Sequence, residues 1–296
     1  MKNRIIILLL IFCIVLAAVG CSKSSVNSTL TVTFIDVGQG DAALVECDGE
    51  YMLIDTGPNS KTSSDKIRGL LLEKDIFTLK YLVISHMHDD HYGGLINNAL
   101  QNVKIETTLC NEDPYRNSNV GSHLDGSRLI IPKPDETGYK IGSATIEIVD
   151  VRADKKNDSL VLLITHGETS FLFTGDIEKE AQSSAAAKLR EMADTLDGGE
   201  NLIKMPHHGA YNSDPFLPDN ASDNSLATLV SAAYAKYFVI SVGKNDYGHP
   251  DHRTLEVIDQ AAPEGFKKTE YLFQTNNNGN IVATSDGKKI TVVPEK

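Results

Sequence analysis

The stretch YLVISHMHDDHYGG at residues 81–94 decides how this chain is interpreted. An apolar run is followed, within six residues, by four side chains that bind metals well: His86, His88, Asp90 and His91. Residues i and i+2 of an extended segment project to the same side, so His86 and His88 can share one cation. Asp90 and His91 follow at the turn into a helical stripe and can hold a second cation. Imidazole and carboxylate suit Zn²⁺, Mn²⁺ or Fe²⁺, so the spacing favours a metal site over a solvated polar cluster.

Outward from this stretch, β-rich runs alternate with helical stripes. The runs that predict strands lie at 30–36, 42–47, 51–55, 81–85, 144–151, 160–165, 170–174, 201–205 and 237–242. The stripes that predict helices lie at 64–77, 92–100, 178–192 and after Asp251. A terminal hairpin is predicted from 271–274, 280–285 and 290–293, and 111–137 is predicted to be a loop or an insertion near the site. No linker divides 30–296, so the pattern predicts one mixed α/β (α+β) domain.

Composition excludes several classes of protein. Of the 296 residues 41% are hydrophobic, which argues against disorder, and only one long apolar stretch exists, which excludes a multispan membrane protein. The formal net charge of −12 argues against a module that binds DNA by neutralising phosphates, although bound cations can supply positive charge locally. Cys47 and Cys110 lack a metal-type spacing, so either a disulfide or burial as small hydrophobes is expected.

The N-terminus has the pattern of a secretion signal. Basic residues precede the uncharged run 5–19, and small residues lead into Cys21 in a pattern that resembles a bacterial lipobox. This resemblance implies a lipoprotein signal peptide at 1–20, a lipidated Cys21 and a polar tether over 21–29. The mature protein would then be extracytoplasmic and attached to the bacterial cell membrane through its lipid anchor only. An uncleaved anchor or an ordinary signal peptide is the alternative.

Six motifs, in order, resemble the metallo-β-lactamase fold. The resemblance is specifically to the C-terminal hydrolase-like domain of the competence protein ComEC and its stand-alone relatives. The motifs are FIDVGQGD at 34–41, HMHDDHYGG at 86–94, NDSL at 157–160, FLFTGD at 171–176, PHHG at 206–209 and SVGKNDYGHP at 241–250. The resemblance implies a four-layer αββα sandwich over 30–296. It also implies one or two divalent metal ions, Zn²⁺ or Mn²⁺ foremost, at one edge between the two sheets.

Roles for single residues follow from the resemblance. Asp176 would bridge two metals, where an N-cap is the alternative, and Asp55 would orient a ligand His or a bound water. One of His207 and His208 would complete the second metal's shell and the other would contact substrate or donate a proton; as a working hypothesis His208 is the ligand. The implied metal ligands are His86, His88, Asp90, His91, Asp176 and His208. The implied catalytic residues are Asp90, His207 and His249.

Three positions stay open. Many members of the fold carry another His before the bridging Asp, whereas this chain has the sequence NDS at 157–159, as the ComEC-like branch commonly does. Asn157 or Asp158 then substitutes, or the first metal is held weakly. Asp41 is either a turn residue or a site residue. For His166, which precedes Gly167, a hairpin turn is the simpler interpretation.

The resemblance implies a metal-dependent hydrolase that works outside the membrane. A phosphodiester is the first substrate class, with nucleic acid and other phosphodiesters both open, and metal-bound hydroxide would be the nucleophile. One alternative is hydrolysis of a lactone or β-lactam bond by the same chemistry. Another is a catalytically weak accessory lipoprotein that uses the fold as a scaffold, which the absent third His favours.

Overall fold

A computed structural model of the chain describes residues 28–134, 136–155, 157–211 and 224–296. The predicted signal peptide, Cys21 and most of the predicted tether lie outside these residues, so they stay predictions. None of the helices within the described ranges is both long and apolar enough to cross a bilayer.

The first sheet has eight strands and contains both ends of the described chain. Numbered in chain order, they are β1 (Leu30–Phe34), β2 (Ala43–Cys47), β3 (Glu50–Ile54), β4 (Thr78–Ile84), β5 (Lys104–Cys110), β6 (Arg128–Ile130), β14 (Ile281–Ser285) and β15 (Ile290–Pro294). Their spatial order is β15-β14-β1-β2-β3-β4-β5-β6. Asp48 and Gly49 join β2 to β3 with φ of 52° and 80°, as a two-residue hairpin turn with the favoured twist requires.

The second sheet has seven strands. They are β7 (Tyr139–Ile141), β8 (Ala144–Val151), β9 (Leu160–His166), β10 (Thr169–Phe173), β11 (Glu200–Lys204), β12 (Ala235–Ile240) and β13 (Leu272–Gln274). Their spatial order is β13-β12-β11-β10-β9-β8-β7. His166 ends β9 at the predicted hairpin, pairing with Thr169 at the start of β10.

Helices cover the outer faces of both sheets. In chain order the helices are α1 (Lys61–Glu73), α2 (Asp89–Ile96), α3 (Ser118–Gly121), α4 (Lys179–Glu191), α5 (Ala193–Leu196), α6 (Ser225–Ala232), α7 (His252–Ala261), α8 (Lys268–Tyr271) and α9 (Thr275–Asn278). Short 3-10 turns lie at Pro114–Arg116 and Pro206–Gly209.

Three apolar cores separate the four layers. Side chains such as Phe34 and Phe173, whose rings stack 5.7 Å apart, fill the space between the sheets. A second core joins the first sheet to α1 and α2, and a third joins the other sheet to α4, α6 and α7. This arrangement confirms the predicted αββα sandwich. Cys47 and Cys110 are both buried free thiols, so the predicted burial is confirmed and a disulfide is not formed.

Two predicted elements differ from the structure. Residues 271–274 do not belong to the terminal hairpin, because Leu272–Gln274 pairs in parallel with β12 in the second sheet. The segment 111–137, predicted as a loop or an insertion, contains α3 and the edge strand β6, neither of which was predicted. The three elements concerned, β13, α3 and β6, are each three or four residues long, which is too short for periodicity to reveal the element or its partner.

Candidate functional residues converge because several parallel strands end at one edge of the sandwich. β3 and β4 are parallel in the first sheet, and β10, β11 and β12 are parallel in the second. The segments after their carboxyl ends carry Asp55, His86, Asp176, the His207–His208 pair and His249. Parallel strands present their carboxyl ends at the same edge, which is where open α/β sheets hold their sites.

Candidate metal centre

The first cluster of possible ligands consists of His86, His88 and Asp176. His86 Nε2 lies 2.9 Å from His88 Nδ1 and 3.8 Å from Asp176 Oδ2. His86 and Asp176 are each 1% exposed, whereas His88 is partly open to the cleft. The two imidazoles follow β4 at positions i and i+2, and the structure brings them to one side, as predicted from their spacing.

The second cluster consists of Asp90, His91, Asp176 and His208. His91 Nε2 lies 3.2 Å from Asp176 Oδ1, and His208 Nε2 lies 3.2 Å from Asp90 Oδ2 and 3.7 Å from Asp176 Oδ2. Asp90 and His91 open α2, while His208 comes from the 3-10 turn after β11. The Asp176 carboxylate is common to both clusters. It is not the N-cap of α4, whose cap is Glu178.

The polar atoms inside these clusters suit a divalent cation. Asp176 Oδ1 and His91 Nε2 are buried and, within the described residues, neither makes a hydrogen bond of acceptable geometry, although they are 3.2 Å apart. Buried polar atoms without partners are rare in folded proteins, and an ion that accepts both lone pairs accounts for them. Imidazole nitrogen and carboxylate oxygen are ligands of Zn²⁺ and Mn²⁺, so the donor set fits one or two such ions.

Asp55 fixes the orientation of the His91 ring through the ring nitrogen that does not face Asp176. Its Oδ2 lies 2.8 Å from His91 Nδ1, and its two oxygens accept hydrogen bonds of 2.7 Å from the Ser85 amide and hydroxyl. A carboxylate that accepts from Nδ1 leaves Nε2 as the nitrogen available to a metal. Asp55 has a φ of 58°, an unusual conformation for a non-glycine residue, which marks a position constrained by its surroundings.

The side chains of Asn157 and Asp158 are used in local contacts, and neither residue belongs to the first cluster. The Asp158 carboxylate accepts hydrogen bonds from the amides of Asp154 and Lys155, so it closes a local turn. The Asn157 amide donates to Glu178. Ser159 is the member of this motif that reaches the centre, since its hydroxyl accepts from the Asp176 amide at 3.0 Å and lies 3.4 Å from His86 Nδ1. Three protein ligands and an open side remain, as in catalytic zinc sites.

An open cleft of about 960 Å³ gives access to both clusters. His207 lines it beside Asp176, with Nε2 3.8 Å from Asp176 Oδ2 and Nδ1 2.7 Å from Glu178 Oε1. His249 also lines the cleft, and its ring centroid is 5.4 Å from that of His207. Six predicted site residues line this cleft. The other three among the described residues are buried: His86 and His91 contact residues that line the cleft, and Asp55 contacts His91. Only the predicted lipidation site, Cys21, lies outside the described residues.

A protein-family model described as the metallo-beta-lactamase superfamily matches residues 35–201, more than half of the chain. The chain belongs to the metallo-β-lactamase superfamily. The matched range contains the ligands of both clusters except His208. Among solved structures, the metallo-beta-lactamase fold protein YhfI from Bacillus subtilis is similar in fold, with a TM-score of 0.55 and 13% identity over 86% of this chain and 100% of that one.

Two curated relatives agree with the ComEC-like branch of the superfamily. ComE operon protein 3 of Bacillus subtilis (strain 168) is 24% identical over 275 residues, which is 84% of this chain and 32% of that protein. Recombination protein 2 of Haemophilus influenzae is 30% identical over 244 residues, covering 79% of this chain and 27% of that protein. The chain thus spans a third or less of the length of these two relatives. The resemblance inferred from the six motifs is confirmed.

Protonation balances charge in this superfamily member when metal is absent. Burial alone would lower the pKa of His91, but the carboxylates of Asp176 and Asp55 raise it well above its usual value. Burial would also lower the pKa of His208, but Asp176, Asp41 and Asp90 raise it to about 9. Burial would raise the pKa of Asp90, but the hydrogen bond from His208 and the charges of His91 and His208 together lower it to about 2. Metal ions would displace the protons on these imidazoles.

The metal-free protein is therefore expected to lose stability between pH 7 and pH 10. His208 has a folded-state pKa of about 9, above its ordinary value of 6.5, so its stabilising contribution is complete below about pH 6.5 and lost as the pH rises through 9. Melting temperatures of chelator-treated and metal-loaded protein across this range test the expectation. The loaded protein, with neutral imidazole ligands, should decline less, and His208→Gln should flatten the metal-free curve. Equal declines in both forms would contradict it.

Two residues near the metal clusters were not predicted from the sequence. Lys204 is the one lysine or arginine among the described residues that is buried, at 3% exposure, and its ammonium pairs with Asp41. Ser85 is 2% exposed and connects Asp55 to His86 and His91. A lysine within the apolar run NLIKM at 201–205 was the available signal for the first. No comparable signal marks a serine at the end of a strand.

Proposed function

We propose that this protein is a metal-dependent phosphodiesterase of the ComEC-like branch that acts outside the cell membrane. The observation that supports it most directly is the shared carboxylate of Asp176, which lies between two His/Asp clusters at the cleft. Two-metal hydrolases of phosphate esters use such a pair of sites, with a carboxylate contributing to both. One or two divalent cations at this centre would polarise a phosphoryl oxygen and lower the pKa of a bound water towards 7.

Different residues of the chain orient the metal ligands and contact the leaving group. Asp55 fixes the ring of His91, and the Ser241 carbonyl accepts from His208 Nδ1 at 2.9 Å, so both imidazoles present Nε2 to the centre. His207 and His249 line the same cleft on the side of Asp176, where His207 is positioned to donate a proton, and His249 a hydrogen bond, to a departing oxygen. For His249, burial and repulsion from His207 lower the pKa to about 4, so it is neutral at pH 7 and acts there as a hydrogen-bond donor.

Basic side chains at the cleft support an anionic substrate. Arg152, Lys155 and Lys179 all line it. Lys155 is paired with Glu180, and both side chains are well exposed (65% and 73%), so a phosphate can displace that contact at little cost. Arg152 donates through Nε to Asp150 at 3.0 Å, and its side chain remains one-third exposed. A few cations beside a metal centre suit a short phosphodiester segment of nucleic acid or wall polymer better than a long polyanion, given the net charge of −12.

The position of Ser28 supports an orientation for the lipid-anchored protein. Ser28 Oγ lies 3.1 Å from His166 Nε2 and donates to Asp48 at 2.8 Å. β9 runs from Leu160, beside the centre, to His166, so Ser28 lies roughly 20 Å from the metal clusters along the sheet. If Cys21 is lipidated, the membrane attachment therefore joins the sandwich at a point remote from the cleft. Mass spectrometry of the N-terminal peptide for a diacylated Cys21 tests the anchor.

Metal content and turnover, measured together, test the proposed activity. The full chain is purified in detergent without chelator, and its Zn²⁺ and Mn²⁺ content is compared with hydrolysis of bis-p-nitrophenyl phosphate. One to two ions per chain and turnover that a chelator abolishes and metal restores are expected. Bound metal without phosphodiester turnover, but with hydrolysis of a lactone or β-lactam, would replace the proposal with the carbonyl alternative. Neither metal nor turnover would favour a scaffold.

A further inference from the structure

A buried ion pair behind the second cluster has no role in the chemistry described so far. It joins Lys204, the last residue of β11, to Asp41, in the loop between β1 and β2. Lys204 is 3% exposed and Asp41 is 6% exposed. Removing two charges from water is expensive, and a buried pair often stabilises a fold no more than apolar residues of the same size. Stability alone therefore gives a weak reason for this pair.

Lys204 connects the loops that carry the ligands. Besides its contact with Asp41, its ammonium donates to the Gly175 carbonyl at 3.2 Å, and Gly175 directly precedes Asp176. The Lys204 carbonyl in turn accepts from the Thr174 hydroxyl at 2.7 Å. His208 lies four residues after Lys204 in the chain. The Lys204 side chain therefore connects the segments that supply Asp176 and His208, two ligands of the second cluster.

Asp41 contacts the other side of the same cluster. Its Oδ1 lies 3.4 Å from His208 Nδ1, and its Oδ2 lies 3.8 Å from His91 Nδ1. Its backbone amide donates to the Asp90 carbonyl at 3.1 Å. Among the described residues Oδ1 makes no hydrogen bond of acceptable geometry, so it is a buried oxygen directed at the rear of a ligand imidazole.

Gly40 makes this approach possible. A Cβ at Gly40 would lie 2.4 Å from the Asp90 carbonyl oxygen, so a side chain there would separate the first motif from α2. Its φ of 149° also disfavours other residues. The backbone is thus shaped to bring Asp41 against the segment that carries Asp90 and His91.

We propose that Lys204 and Asp41 are positioning residues that set the affinity of the second metal site, an inference that rests on the proposed metal centre. Asp41 is the carboxylate behind His208 and His91, and Lys204 holds it while fixing the loop before Asp176. Residues behind a ligand imidazole typically change metal affinity 10- to 100-fold. Asp176 also belongs to the His86–His88 cluster, but its amide is held separately by the Ser159 hydroxyl, so the pair is expected to act on the second ion and to leave the affinity of the first close to that of the wild type.

A charge-neutral double variant separates this role from simple stabilisation. Asp41→Asn with Lys204→Met removes both buried charges together, so neither is left unpaired. The matched control is Glu200→Gln with Lys236→Met, which removes an ion pair near the opposite end of β11. Metal affinity is measured by titrating chelator-treated full chain with Zn²⁺, and the ligand field is followed with Co²⁺. Melting temperature without metal reports on the fold.

The double variant should melt close to the wild type without metal, retain one ion of wild-type affinity and bind the second about 10- to 100-fold more weakly. The Co²⁺ spectrum of the second ion should change, and the control should match wild type. Two ions of wild-type affinity in the double variant would overturn the positioning role. A wild type that binds no metal would instead contradict the proposed function itself. If the methionine variant does not fold, the same measurements are made on Asp41→Asn with Lys204→Gln, which keeps hydrogen-bonding groups at both positions.

Discussion

The Asp176→Ala variant is expected to lose the proposed phosphodiester hydrolysis about a thousandfold or more while keeping its fold. A metal centre supplies several kcal/mol of transition-state stabilisation, and each 1.4 kcal/mol corresponds to about tenfold in rate. Asp176 is common to both clusters, with Oδ1 3.2 Å from His91 Nε2 and Oδ2 3.7 Å from His208 Nε2. Its removal therefore weakens both sites, whereas loss of His86 would affect only the first.

The fold should tolerate this change because the backbone around Asp176 is held by other groups. Its amide donates to the Ser159 hydroxyl, and the preceding Gly175 carbonyl accepts from Lys204. Far-ultraviolet circular dichroism tests the fold, and metal analysis of the same sample tests the sites. Asp259→Ala, on α7 and in an ion pair with Lys268, provides a carboxylate deletion outside the cleft and should keep wild-type turnover. Undiminished turnover of Asp176→Ala in metal-controlled buffer would rule out the assigned centre.

The location of the centre could be predicted from sequence because its residues lie directly after recognisable strands. His86 follows an apolar run, Asp176 follows FLFTG, and the His207–His208 pair follows another strand end. The resemblance to the family placed these distant residues in one site, and the fold supplies the physical reason, because parallel strands bring such ends to one edge. The sequence also left Asp158 open as a substitute ligand. Only the fold reveals that its carboxylate is used by two backbone amides.

Features that depend on tertiary contacts could not be predicted in this way. The ion pair of Asp41 and Lys204 joins residues far apart in sequence, and neither residue has a pattern that identifies the other. The choice between His207 and His208 likewise depends on side-chain direction. Both have left-handed φ, of 49° and 52°, and the turn sends His208 towards Asp90 and His207 towards Glu178. Adjacent identical residues give no basis for such a distinction before the fold is known.

The glycines of HMHDDHYGG place the ligand helix, and Gly94→Ala is expected to destabilise the protein strongly. A Cβ at Gly94 would lie 2.0 Å from the Thr56 carbonyl oxygen, far inside contact distance. The Gly94 amide also donates to the Gly57 carbonyl at 3.1 Å, and the His91 carbonyl accepts from the Thr56 amide at 2.6 Å. α2 must therefore move away from the loop after β3, and the ligands Asp90 and His91 would move with it.

Overpacking of this kind costs about 3 kcal/mol, which lowers the melting temperature by about 6–12 °C in a protein of this size. The variant should also bind metal more weakly, since α2 carries two ligands of the second cluster. Gly69→Ala is the matched control, because Gly69 lies within α1 and a Cβ there meets no atom within 4 Å. That substitution should stabilise the protein by about 0.5–1 kcal/mol, since alanine favours the helix. Calorimetry of both metal-free variants tests this prediction. The melting temperature should fall in Gly94→Ala and rise in Gly69→Ala. Equal melting temperatures would mean that the glycine contact does not position α2.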